Sequence, residues 1–258
     1  MSNLRRTLAM MLLVVCGVFS VPSDALPQAD EGRQLYRTLF LRAAPGELAT
    51  VLELLGERWP TWEAASEVGP FRMRHSQGDQ WDLMLVFHVG DGFEDYFSEA
   101  TGERVARAWA DAGETDDEFE ARLLPHVSWR EELWVWGPSA ELVATRFADA
   151  GYFHVEVFLA IAGKRAELLR QRAMENVYLD GIGRARNLIF ERAGGAAWDS
   201  YTIGFYRDIR HFAESANISD EVEERAAVAA GFESSSTIGT YLRSLIARHN
   251  DTLATAIR

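Results

Sequence analysis

Cysteine is almost missing from this 258-residue chain: the single one, Cys16, lies inside an apolar run near the start. Downstream of that run there can be no disulfide, no thiolate nucleophile and no cysteine-ligated metal. Positive charge is also short, with 26 Lys and Arg against 39 Asp and Glu and a net charge of -13. No basic block interrupts the acidic surface, which would repel a nucleic-acid backbone and anionic lipid. Several motifs are missing too: there is no HExxH spacing for a metal, no Cys-x-x-Cys-His for covalent haem and no Gly-x-Ser-x-Gly elbow. Gly181-Ile182-Gly183 lacks the third glycine of a dinucleotide loop and precedes an expected strand, not a helix. No metal site is expected, and no cofactor is indicated.

What is present begins at the N-terminus. Arg5 and Arg6 precede an apolar stretch over residues 8–21, and Ser23-Asp24-Ala25 follows with small residues where a signal peptidase reads. The run is shorter than the roughly 20 residues of a membrane span. Val15 is too large for the position before a lipidated cysteine. Residues 1–25 therefore read as a cleaved export signal, with an uncleaved anchor as the alternative, and 26–33 as a disordered mature N-terminus. The protein is expected in the periplasm or outside the cell, away from the membrane after cleavage.

The remainder reads as one unit written twice. Gly78-Asp79-Gln80-Trp81-Asp82 recurs as Gly195-Ala196-Ala197-Trp198-Asp199, with 117 residues between the tryptophans. At that offset Gly46 falls on Gly163, Leu52 on Leu169 and Asp91 on Asp208. Each copy predicts a strand (35–41, 153–159), an amphipathic helix, a second strand (71–74, 188–192) and a third (82–89, 199–206). A charged helix (103–111, 220–230) then ends at an Ala-Gly step, and a last strand (132–136, 252–257) closes the copy. The expected architecture is α+β, with ferredoxin-like βαββαβ repeats over 34–138 and 152–258 and a linker over 139–151 that includes a short helix.

Tyr36-Arg37-Thr38-Leu39-Phe40 leading to Pro45-Gly46 and an amphipathic helix resembles the opening of dimeric α+β barrel proteins, most closely the NIPSNAP-like branch, and residues 153–164 repeat it. The resemblance implies two sheets packed face to face, here as an intramolecular pseudo-dimer. The NIPSNAP-like branch brings no catalytic residues to carry over. Haem peroxidases, monooxygenases and isomerases occur in other branches, and none of their signatures is visible here.

Strand alternation supplies the candidate site. His154 and Glu156 share one face of a strand, expected to look into the space between the sheets, where they could act as an acid–base pair. The matching residues of the first copy are Arg37 and Leu39. His126 and His249 are expected at equivalent places before the last strands, as backbone caps or as haem ligands. Trp81-Asp82 and Trp198-Asp199 read as packed turns or as a ligand-stacking rim. Glu175 and Tyr178 share a helix face that could reach a barrel mouth. Two function classes follow: an apolar or aromatic small molecule bound or transformed between the sheets, or a non-enzymatic partner-binding protein. Haem binding is a third reading.

Overall fold

The computed structural model describes residues 32–257 except Glu67 and Asp79. The expected signal (1–25) and nearly all of the expected disordered start (26–33) lie outside the described residues. The first half runs β1 (Gln34–Ala43), α1 (Leu48–Ala65), β2 (Phe71–Gly78), β3 (Leu83–Gly90), α2 (Phe93–Tyr96), α3 (Glu99–Ala112), α4 (Asp116–Leu123) and β4 (Val127–Gly137). After α5 (Ala140–Ala148) come β5 (Tyr152–Ala160), α6 (Arg165–Gly181), β6 (Leu188–Gly195), β7 (Ser200–Tyr206), α7 (Ile209–Ala213), α8 (Asp220–Ala229), α9 (Ile238–Arg243) and β8 (Ile246–Ala256). The elements expected from the sequence are all found; the last strands begin earlier than expected, at Val127 and Ile246.

The eight strands close into an antiparallel barrel in the order β1-β3-β2-β8-β5-β7-β6-β4. Each half therefore contributes four neighbouring strands in the same order, β4-β1-β3-β2 and β8-β5-β7-β6. The pairs β2–β8 and β4–β6 join the halves. Closure leaves no free sheet edge, the usual route to unwanted pairing.

Buried side chains line the barrel interior. Tyr36, Phe40, Met84, Val86, Leu133, Val135, Phe153, Val155, Phe190 and Tyr201 form one buried cluster. Phe190 stacks on Tyr201 at 4.6 Å, and the Tyr201 hydroxyl meets Thr38 Oγ1 at 2.8 Å, so the buried phenol is satisfied. Helix α5 closes one end. Ser139 Oγ accepts the Leu142 N–H to start it, and Phe147 packs on Phe71 at 4.6 Å and Phe153 at 5.0 Å. The remaining helices cover the outside, α1 and α4 over Leu39, Leu41, Leu83 and Leu85, and α6 over Phe158.

The Trp-Asp turns lock each sheet together. Asp82 accepts the Ala43 N–H on Oδ2 at 2.9 Å, and its own N–H donates to Leu41 O at 2.8 Å. Asp199 repeats both bonds with Ala160 N–H and Phe158 O, at the same distances. Trp81 and Trp198 are buried against the barrel interior. Gly78 and Gly195 just before these turns have φ of 117° and 89° and lie at the two joints between halves. A β-carbon there would strike the neighbouring strand, at Asp251 O or Glu132 O. Gly195→Ala combines a left-handed backbone with that clash and is expected to cost at least about 1–3 kcal/mol, read as a lower urea midpoint with unchanged slope.

Candidate functional site

Outside the barrel, each half has a seam between its sheet and its helices, and the two seams differ in chemistry. In the first, Leu39 of β1, Leu85 of β3 and Leu55 of α1 pack in one apolar cluster. The residues 117 positions further on are Glu156, Thr202 and Arg172. The register agrees, since Leu39 opposes Leu85 as Glu156 opposes Thr202. An apolar contact in one half is thus a buried ion pair in the other.

Arg172 is 2% exposed. Its Nη1 donates to Glu156 Oε2 at 3.1 Å, its Nε donates to Gln171 Oε1 at 2.7 Å, and its Nη2 pairs with Glu175. The guanidinium also lies 4.8 Å over the Phe158 ring. Thr202 Oγ1 donates to the same Glu156 oxygen at 3.3 Å. The other oxygen lies 3.3 Å from His249 Nε2, within ion-pair range but without hydrogen-bond alignment. The His249 ring stacks flat on Phe158 at 4.9 Å. Nearer solvent, His154 Nε2 lies 2.6 Å from Asp251 Oδ1, with Phe212 edge-on at 5.6 Å.

These contacts shift the protonation of the cluster. Burial alone would raise the Glu156 carboxyl, but Arg172, His249 and His154 hold it well below the usual carboxylate range. Burial would lower His154, yet the Asp251 hydrogen bond and the charges of Glu156, Asp251 and Glu175 outweigh it and raise its pKa. Glu175 is pushed up, mainly by burial, with Arg172 offsetting part of the shift. The arrangement can store a charge, move a proton between His154 and Asp251, or hold a cation.

The first seam holds a cavity in place of a polar cluster. A volume of about 160 Å³ lies between β1, β3, α1 and α3, walled by Trp62, Phe87, Tyr96 and Trp109. Arg37 and Asp116 supply charge at its edge. The Arg37 guanidinium sits 4.9 Å over Phe87 and 3.6 Å from Glu132.

No family model matches the sequence, and no curated protein does. Solved structures match over nearly the whole chain. An anthrone oxidase-like protein superposes with a TM-score of 0.55 at 12% identity, covering 89% of this chain and 93% of that one. A candidate monooxygenase from Fusobacterium nucleatum subsp. nucleatum gives 0.50 at 6% identity, covering 89% and 94%. A chlorite dismutase variant from Candidatus Nitrospira defluvii gives 0.49 at 14% identity, covering 88% and 93%. These neighbours are dimeric α+β barrel proteins, and this chain shares their α+β barrel fold. Here a single chain supplies all eight strands.

Several expected sites shift once they are placed in the barrel. His154 and Glu156 do come together, but on the helix-covered face, not between the sheets. Their neighbours Phe153, Val155 and Val157 fill the interior. Both faces of β5 are covered, so its alternation could not say which face was inner. Glu175 joins the cluster beneath α6. Tyr178 points instead to an open acidic groove with Asp220, Glu221, Glu223 and Glu224, and neither residue reaches a barrel mouth.

His126 and His249 are not equivalent. His126 precedes β4 and its Nδ1 lies 2.9 Å from Glu47 Oε2, whereas His249 is inside β8. His249 opposes Phe158 as Arg130 opposes Leu41, because two additional residues precede the last strand of the second half. The tryptophans of the Trp-Asp turns are packed inward and the aspartates bond backbone amides. Trp198 Nε1 donates to Glu131 at 2.7 Å.

The sequence reading places Arg172 on the same helix as Glu175 and Tyr178 without a site role, and assigns none to Thr202 or Asp251. The 117-residue offset carried a signal for Arg172, since it lands an arginine on the buried Leu55. Removing one member of the pair strands a buried charge, so Arg172→Leu is expected to lose about 3–5 kcal/mol. Glu156→Leu with Arg172→Leu copies the Leu39/Leu55 contact and should cost clearly less than Arg172→Leu alone. Urea unfolding of the three proteins measures both.

Proposed function

We propose that the protein binds a small aromatic molecule carrying an acidic group, in the sheet–helix seam of its first half. The observation that carries this is the cavity of about 160 Å³ walled by Trp62, Phe87, Tyr96 and Trp109 with Arg37 at its edge. Cavities of about 150 Å³ accept a benzene ring, so the space suits one ring. Aromatic walls supply apolar contact, and Arg37 can turn from Glu132 to a ligand carboxylate. The space between the sheets, the site first expected, is occupied by side chains. Binding of a small molecule is in keeping with the names of the anthrone oxidase-like and monooxygenase neighbours.

The same reading takes the halves as tandem ferredoxin-like repeats from a duplication. The recurring strand order, the paired glycines and the repeated Trp-Asp bonds support it. Kinship with the NIPSNAP-like branch rests on residues 34–46 and 153–164. Export rests on residues 1–25; protein recovered from outside the cytoplasm should begin at Leu26, and a retained Met1 would overturn it.

Two alternatives have their own observations. Phe97, 78% exposed beside Tyr96 and Phe93, favours partner binding. Haem binding would call on His126 or His249, each now beside a carboxylate.

Titrating the full chain with benzoate, phenol and hemin, followed by tryptophan fluorescence, separates these readings. Benzoate should bind and quench. Arg37→Leu should weaken benzoate about tenfold or more and phenol little, as expected for losing a charged contact. Val105→Phe, which fills the cavity, should abolish both. No binding of either ring, or binding unchanged in Val105→Phe, overturns the proposal, and a hemin Soret shift lost in His249→Ala would favour haem instead.

A further inference from the structure

We propose that His154, Glu156 and Asp251 form a site for a divalent first-row transition-metal ion of the zinc type on the outer face of β5 and β8. One ligand atom from each of the three lies within 4.8 Å of the others. A tetrahedral ion with bonds of about 2.0–2.2 Å holds its ligands about 3.3–3.6 Å apart. Small side-chain rotations reach that spacing, the main one opening His154 and Asp251 from 2.6 Å.

The scaffold favours such a site. Glu156 and Asp251 are cross-strand partners, and His154 precedes Glu156 by two residues on the same face. Donors on paired strands are held more firmly than donors on loops. Because the third donor comes from a neighbouring strand, no linear metal motif exists in the sequence.

Charge points the same way. The carboxylates of Glu156, Glu175 and Asp251 gather beside the guanidinium of Arg172, which pairs with the first two. The surplus of negative charge is what a divalent cation would neutralise. Arg172 and Thr202 fix Glu156 from behind, as outer groups fix metal ligands. His249 Nε2 is buried without a hydrogen-bond partner 3.3 Å from Glu156 Oε1, and stands as a fourth donor. The Asp251 side chain is 57% exposed, which leaves an entry path for the ion and room for a water ligand. An imidazole donor selects zinc-like ions over magnesium or calcium, which take oxygen ligands.

The first half supplies an internal control. Its matching residues are Arg37, Leu39 and Glu132, a cation, an apolar group and one carboxylate, which cannot hold a metal. The inference stands apart from the aromatic cavity, and either can fail alone.

The test strips the full chain with EDTA, dialyses it, and titrates it with zinc chloride by calorimetry and with cobalt chloride by visible absorption. One ion per chain should bind, and a cobalt d–d band should appear. His154→Ala and Asp251→Asn should each weaken zinc at least about tenfold, since loss of outer groups alone costs 10–100-fold. Glu132→Gln should leave zinc binding unchanged, and excess magnesium should not compete. Asp251 is exposed, so its variant should keep the wild-type circular dichroism. Absence of zinc binding by the wild type, equal binding by the two variants with wild-type spectra, or an equal loss in Glu132→Gln overturns the proposal.

Discussion

Filling of the barrel interior is the constraint from which the rest of this structure follows. Tyr36, Phe40, Phe190 and Tyr201 pack ring against ring in the interior, and Tyr201 meets Thr38 in a buried hydrogen bond. Aromatic side chains of this size contribute much of the apolar burial that offsets chain entropy. With α5 packed across one end, large buried side chains line the centre. Polar chemistry is displaced to the other face of the same strands, where helices cover it and where water can be excluded or admitted according to which residues line the seam.

The two seams show how different answers arise on one backbone. Leu39, Leu55 and Leu85 make one of them dry, and a cavity opens beside them where Trp62, Phe87 and Trp109 fail to fill the space under α3. Glu156, Arg172 and Thr202 make the other polar. A buried ion pair is a weak source of stability, because desolvation opposes attraction, and an apolar pair at the same positions serves as well. The Glu156–Arg172 pair is therefore weak evidence of stabilisation.

The architecture was largely legible from residue pattern, and the orientation of the site was not. The Trp-Asp turns pointed to the strand order that the two halves share, and the matching Asp82 and Asp199 bonds explain why that motif does so: each joins the start of one strand to the end of another. Face assignment failed at β5 because Phe153, Val155 and Val157 are buried on one side while Glu156 and Phe158 are buried on the other. Burial of both faces erases the inside–outside contrast that alternation reports. The pairing of His126 with His249 failed because strand register sets His249 opposite Phe158 as Arg130 is set opposite Leu41, so the two histidines fall at different points along the last strands. Arg172 and Asp251 are far from Glu156 in sequence and became neighbours only through the α6 crossing and the β5–β8 ladder.

Both sheets sit on a single polypeptide joined through α5. Were such a barrel assembled from two identical subunits, symmetry would oblige every substitution to appear twice, once on each side. A charge placed under one helix would be placed under its mate as well, doubling the desolvation penalty. Covalent linkage removes that obligation. It lets Leu39 remain a leucine while its counterpart is Glu156, and gives this chain two unlike flanks around one shared centre.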